Sequence, residues 1–314
     1  VLAVLSVALP VFGLILTGFV AGRVGFLGSA ATGVLNLFVV YMALPAVLIQ
    51  SMARIRPGVL ADPNLTLVFG LGIAVPFILS MLWSRRQRIG LSDAAIQALS
   101  ATYCNAGYMG IPLCLNAFGE ASVVPSVITM VITTCPQFAV GVALVEMGRA
   151  EHPSLLRTAG RVARALVRNP LLISPVVGLG IAASGVALPL ALDRFLGLLG
   201  GAATPCALVA TGMMLGEAAE RFDAAVVARQ VGLKLLVQPA VTWALAFHLF
   251  ALPPVWAKTA LVMSALPTGT GAFILAKLYG REAASTSGTV LVSTIVSFFT
   301  LSALLAWMST GAQF

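Results

Sequence analysis

Charge is scarce in this chain of 314 residues: Asp, Glu, Lys and Arg make up 9% of it, against about a quarter of a typical soluble domain. That scarcity, with 60% hydrophobic residues and a mean hydropathy of +1.04, excludes a soluble globular enzyme. Histidine and cysteine are nearly absent too, at two and four residues. Cys104, Cys114, Cys135 and Cys206 fall in apolar runs without the paired spacing of a metal site, so they read as small packing residues. No Asp, Glu or His stands in the middle of an apolar run: Glu146 and Glu217 sit at run ends, Asp93 opens one, and His248 lies near the end of another. A carboxylate proton relay is therefore not visible. Neither is a Ser/His/Asp or metal-ligand set at membrane depth, which argues against an intramembrane hydrolase.

What the chain does have is apolar length. Continuous runs cover approximately 1–22, 30–53, 64–84, 94–117, 121–147, 169–187, 194–216, 231–251, 256–279 and 284–309. Each is long enough for a membrane helix, and a barrel would show shorter, alternating segments. The expected fold is an all-α membrane protein of ten transmembrane helices. The first run has neither a basic n-region nor a small-residue cleavage site and reads as a span rather than a signal peptide, although the chain opens on Val1 and a short preceding piece is expected.

The net charge of +8 needs no nucleic acid, because basic residues on cytoplasmic loops explain it. With both termini outside, fourteen basic residues fall on the cytoplasmic side, from Arg23 and the Arg85, Arg86, Arg88 cluster to Arg229, Lys234, Lys277 and Arg281. Arg54, Arg56, Arg194 and Lys258 remain outside. A multi-pass protein of a bacterial inner (plasma) membrane, N-terminus and C-terminus outside, is predicted.

The two halves repeat. Pro10 and Pro170 are 160 apart, as are Pro45 and Pro205, while Phe118-Gly119 and Tyr279-Gly280 are 161 apart, as are Ser126 and Ser287. Residues 1–147 and 169–314 thus read as two five-helix repeats, and an odd number of spans inverts the second copy in the membrane. Between them, 148–168 places Arg157, Arg161, Arg164 and Arg168 on one side of a helix and Leu155, Ala159, Val162 and Leu166 on the other. It reads as an amphipathic cytoplasmic linker, either bound to the lipid surface or a plain tether. Gly18 and Gly22, and Gly212 and Gly216, have the four-residue spacing of close helix packing.

Two runs carry breakers at depth. The stretch from Ala101 to Leu113 includes Asn105, Gly107, Gly110 and Pro112, and the stretch from Ala265 to Phe273 includes Pro267, Gly269 and Gly271. Interrupted segments at corresponding places in two halves mark the binding site of a secondary transporter. The half-helix expected from about Pro112 and the one from about Gly271 would aim their positive N-termini at one place near mid-depth, which favours a carboxylate. Asn105, Thr268 and Thr270 add neutral donors, or else Asn105 caps its neighbouring half-helix and the threonines bond back to their own. Tyr108 could line the pocket or simply pack. Importing a dianion against about 100 mV costs roughly 4.6 kcal/mol, so uptake would need a coupling cation, Na⁺ or H⁺, whereas export would not. Thr129, Thr133 and Thr134 are candidate Na⁺ ligands, or they satisfy their own helix.

The stretch from Asn105 to Leu113 followed by Phe118-Gly119, and Leu266-Pro267 followed by Phe273 to Gly280, resemble the two crossover motifs of the auxin efflux carrier family, which includes bacterial malate and malonate permeases. Arg168-Asn169-Pro170 and Val237-Gln238-Pro239 resemble its segment openings. The resemblance implies two inverted five-helix repeats, a scaffold domain that often dimerises, and a transport domain whose fourth and ninth helices cross at Pro112 and Pro267. It also implies that organic acid anions bind beside that crossover, with Asn105 matching the residue that faces the carboxylate. Read from the two breaks themselves, Gly107, Tyr108, Pro112, Pro267, Thr268, Gly269, Thr270 and Gly271 are the further candidates for the substrate site. The related bile acid sodium symporters hold Na⁺ with a Glu in the ninth helix, and Pro267 to Gly271 offers none. A carrier of small mono- or dicarboxylates, needing no cofactor, is the leading expectation. A membrane-embedded sensor that binds a carboxylate without moving it is the alternative.

Overall fold

The computed structural model describes residues 2–25, 28, 30–54, 63–149, 160, 170–217, 222–281 and 284–309. Lipid offers the backbone no hydrogen-bond partner and a helix satisfies its own, so an apolar chain of this kind becomes helical. Helices are α1 (Leu2–Val24), α2 (Ala31–Phe38), α3 (Leu44–Ala53), α4 (Pro63–Arg86), α5 (Leu91–Ser100), α6 (Ile111–Phe118), α7 (Val123–Ile132) and α8 (Phe138–Arg149). They continue as α9 (Pro170–Ser184), α10 (Leu190–Gly201), α11 (Ala203–Glu217), α12 (Ala224–Gly232), α13 (Gln238–Trp243), α14 (Pro254–Ala265), α15 (Gly271–Leu278) and α16 (Ala284–Ser309).

Among the described residues, five helical stretches are long and apolar enough to cross a membrane: Ala31–Gln50, Pro63–Arg86, Leu190–Met214, Ala224–Leu249 and Ala284–Ser309. Shorter apolar helices, such as Phe12–Val24 and Ala106–Phe118, accompany them. Past Arg149 the linker expected over 148–168 lies outside the described residues, apart from Gly160.

Prolines shape the long helices without ending them. Wide π turns occupy Val39–Ala43, Ala106–Gly110 and Leu233–Val237, and each stops two residues before a proline: Pro45, Pro112 and Pro239. Proline cannot donate to the carbonyl four residues back and its ring crowds that carbonyl. A π turn, bonding five residues on, passes the acceptor to the next N–H and relieves the crowding.

The glycine pairs are packing devices. A Cβ on Gly22 would lie 2.6 Å from the Met213 carbonyl oxygen, and one on Gly216 2.6 Å from that of Phe19. Gly18 and Gly212 similarly face the backbones of Val209 and Ile15. Backbone meets backbone along the whole α1–α11 contact, the arrangement small residues permit in lipid. The largest hydrophobic cluster joins Met109, Ile111 and Leu113 to Leu261, Met263 and Leu266, with Val127 and Met130 of α7 beside them. Ion pairs sit at helix ends: Arg54 with Asp193 at 2.7 Å and Arg281 with Asp93 at 3.2 Å.

Gly212→Val should therefore destabilise the protein by about 1–3 kcal/mol, the usual cost of forcing atoms into a packed contact. Gly180→Ala, where an added Cβ meets nothing within 4 Å, should not. Melting curves in detergent test the pair, and an unchanged midpoint for Gly212→Val would contradict this packing.

Candidate functional site

Two helices stop inside the apolar core and their loose ends pair with each other. The first ends at Ser100 and resumes at Ala106; the second ends at Ala265 and resumes at Gly271. Cys104 and Thr268 form an antiparallel bridge, with Asn105 N donating to Pro267 O at 3.0 Å and Gly269 N to Tyr103 O at 2.8 Å. The two prolines play different parts here. Leu266, before Pro267, is extended (φ −61°, ψ 153°), the conformation a following proline favours. Ile111, before Pro112, is helical (φ −58°, ψ −51°). The α-helix does begin at Ile111 with Pro112 in its first turn, but the π turn extends it back to Ala106, which corrects the expectation that the crossing lies at Pro112: the gap is at 101–105 and Cys104 meets Thr268. The π turn at Ala106–Gly110 is what lets the helix carry that proline.

Every carbonyl in the last turn of α5 finds a donor. Ala101 N reaches Gln97 O at 3.0 Å and Tyr103 N reaches Leu99 O at 2.7 Å. The Thr102 hydroxyl reaches Ala98 O at 2.7 Å, and the Thr268 hydroxyl crosses from the other break to Ser100 O at 2.8 Å. Donors remain on the other side of the break. Ala106 N bonds Cys104 O, and Met109 N and Gly110 N both go to Asn105 O, which leaves the N–H groups of Gly107 and Tyr108 without an acceptor among the described residues. The first turn of α15 has no acceptors within its own helix either. These N-termini emerge from opposite ends of one short ladder, and both carry the positive end of a helix dipole.

Asn105 is buried, at 7% exposure, and its side chain caps no helix end. Its side-chain amide makes no hydrogen bond with any described residue, in contrast to its backbone N–H and carbonyl. The Thr268 hydroxyl is committed to Ser100, while its N–H goes to the Ser293 hydroxyl at 3.0 Å. Thr270 is half-buried; Pro267, Gly269 and Gly271 are buried. The last two glycines permit the crossing, since a Cβ on Gly269 would lie 2.9 Å from Cys104 O and one on Gly271 2.5 Å from the Tyr103 ring. Gly107 and Tyr108 are half-buried, and Tyr108 packs on Val39, Leu44 and Ala207. Pro112 lines a cavity of about 180 Å³ with Leu44, Gln50, Glu120, Gly200 and Thr204.

The hydroxyls considered for a cation turn to their own helix: Thr129 donates to Ser126 O and Thr133 to Thr129 O, each at 2.9 Å. Thr134 is half-buried beside them. Among the described residues no group of His, Cys, Asp or Glu is arranged to hold a metal, and Cys104, Cys114 and Cys206 are free thiols.

Lys234 was missed. Counted by sequence among cytoplasmic residues, it lies in the π turn Leu233–Val237 at 0% exposure, its ammonium donating to Ser264 O at 2.6 Å. The apolar run opens only at about residue 231, so Lys234 looked terminal; the helix begins at Ala224, which places Lys234 roughly 15 Å along it. A signal existed in the four-residue spacing of Gln230, Lys234, Gln238 and Thr242. Gln137 was missed as well, and its amide donates to the Thr102 hydroxyl at 2.8 Å beside the break.

Comparison with known proteins agrees with this architecture. A family profile described as "Membrane transport protein" matches residues 3–305. The "Putative malonate transporter" of Rhizobium meliloti (strain 1021) is 32% identical over 313 residues, covering 98% of this chain and 96% of that one. An "Uncharacterized transporter" of Methanothermobacter thermautotrophicus is 24% identical over 300 residues, 93% of this chain and 94% of its own. The "Uncharacterized transporter YfdV" of Escherichia coli (strain K12) is 25% identical over 238 residues, 74% of each chain. A multi-pass membrane chain matched almost end to end by transporters, and carrying both crossover motifs, is a transporter and not an enzyme: it belongs to the membrane transport protein family, the auxin efflux carriers.

Proposed function

We propose that this protein is a secondary carrier of small organic acid anions, mono- or dicarboxylates of the size of malate or malonate. The observation that carries the reading is the crossover itself. Unpaired N–H groups at Gly107 and Tyr108, the first turn at Gly271 and the uncommitted amide of Asn105 offer several donors and no fixed negative charge in one buried place. Donors at two helix N-termini suit a carboxylate. The name of the Rhizobium meliloti relative points to the same class.

In this reading residues 1–147 and 169–314 are inverted repeats of five spans each, joined by the linker at 148–168, with both termini outside the inner membrane. The spans that cross at Cys104 and Thr268 move as one body against a scaffold built on the α1–α11 contact, exposing the site to each side in turn. That scaffold is also where two copies would pair. A coupling Na⁺ at Thr129 and Thr133 would have to use their oxygens as acceptors, since both hydroxyl protons are held by the helix. Flux under imposed Na⁺, proton and potential gradients decides between coupling and uniport.

Purified protein in liposomes should show saturable malonate or malate uptake and counterflow; the absence of saturable flux for any small carboxylate would overturn the reading. Asn105→Ala should raise KM about tenfold or more, equivalent to one hydrogen bond to a charged group, with an unchanged melting midpoint. An unaltered KM would remove Asn105 from the site. Thr268→Val leaves Ser100 O unsatisfied in the core and should cost about 1–3 kcal/mol of stability, read as a lower melting midpoint.

A further inference from the structure

The helical stretch Ala224–Leu249 buries a polar stripe. Gln230, Lys234, Gln238 and Thr242 are each at most 1% exposed, and they recur at every fourth residue. In a pure α-helix this spacing drifts round the axis. The π turn at Leu233–Val237 takes more residues per turn and offsets that drift between Lys234 and Gln238. The members meet different neighbours: Gln230 accepts from the Thr289 hydroxyl of α16, Lys234 faces α14, which runs back alongside, and Thr242 lies against Gly72 of α4. Lys234 is level with Ser264, so Gln238, four residues on, comes level with the region of Thr259, five residues before Ser264.

Half of this stripe lacks partners among the described residues: Gln230 accepts from Thr289 and Lys234 donates to Ser264, whereas Gln238 and Thr242 have none. Both ends of the Gln238 amide and the hydroxyls of Thr242 and Thr259 are buried with no hydrogen bond among the described residues. Of the three N–H bonds of the Lys234 ammonium, one goes to Ser264 O and the others meet no acceptor among the described residues. That carbonyl belongs to the last turn of α14, three residues before Pro267, whose own carbonyl accepts from Asn105 N across the crossover. No acidic side chain among the described residues forms an ion pair with Lys234. Buried charges are retained where something pairs them. Here the described residues supply acceptors but no counter-charge, and the carbonyl that holds the ammonium ends the helix that breaks at the crossover.

We propose that Lys234 is the fixed counter-charge of the anion site, and that it makes the carrier select dicarboxylates over monocarboxylates. This rests on the carboxylate reading above and narrows it. A fixed charge attracts an anion in proportion to the anion's charge. Removing it therefore weakens binding of a dianion by the square of the factor that it costs a monoanion at the same place.

The test is competition of malonate and of monomethyl malonate, a near-isostere with one charge fewer, for labelled substrate in proteoliposomes. Lys234→Gln keeps a donor for Ser264 O without the charge; Lys234→Arg keeps the charge. Wild-type protein should prefer malonate. For K234Q the expected loss is about tenfold for the monoester and about a hundredfold for malonate, while K234R should stay within a few-fold of wild type on both. Equal losses on the two ligands, or none, would overturn the proposal and leave Lys234 a cap on α14. Should K234Q fail to elute as a monodisperse folded protein, the wild-type and K234R ratios decide, and a preference for the monoester in either would refute the idea. If the wild-type protein took up other carboxylates yet bound neither of these, the selectivity proposal alone would fall; if it moved no carboxylate at all, the carrier reading would fall first.

Discussion

Backbone hydrogen bonding where water is absent is the constraint on which this structure depends. A helix broken in an apolar core strands carbonyls on one side of the gap and N–H groups on the other, each costly to bury alone. The chain answers by breaking two helices and letting the gaps serve each other. The Thr268 hydroxyl closes the end of α5, Lys234 closes the end of α14, and the bridge between Cys104 and Thr268 fastens the extended residues. Neither interruption is tolerable without its partner.

The solution is asymmetric, and that asymmetry shapes the chemistry. Carbonyls at the ends of α5 and α14 are capped by side chains, whereas the N–H groups at Gly107 and Tyr108 are not. What is left open at the crossover is thus a set of donors, and a buried ammonium caps the neighbouring end of α14. Packing holds this arrangement in place: Gly110, Gly269 and Gly271 let Met263, Cys104 and Tyr103 approach as closely as the ladder requires. The electrostatic character of the site and its rigidity therefore come from the same few residues.

Much of the crossover was legible in the chain because a helix breaker at membrane depth is costly unless protein or a cavity covers the backbone it frees. Asn105, Pro267, Gly269 and Gly271 stand out on that ground and lie together. Pro112 misled in position, since a proline reads as a helix stop unless a π turn absorbs it, and nothing local announces the turn. Lys234 misled in another way. A lone lysine close to the edge of an apolar run looks like a topology signal, and only the extension of the helix back to Ala224 puts it at depth.

The sequence alone determined that the chain is helical and membrane-embedded, because its apolar runs and scarce charge allow no other way to satisfy the backbone, and it marked where helices cannot stay regular. Which carbonyl each donor would reach was decided only when residues 160 and more positions apart came together, and the burial of Lys234 against Ser264, with no ion pair among the described residues, only when two neighbouring helices packed. Hydrogen bonds and counter-charges act over a few ångströms, and adjacency at that scale belongs to the folded chain.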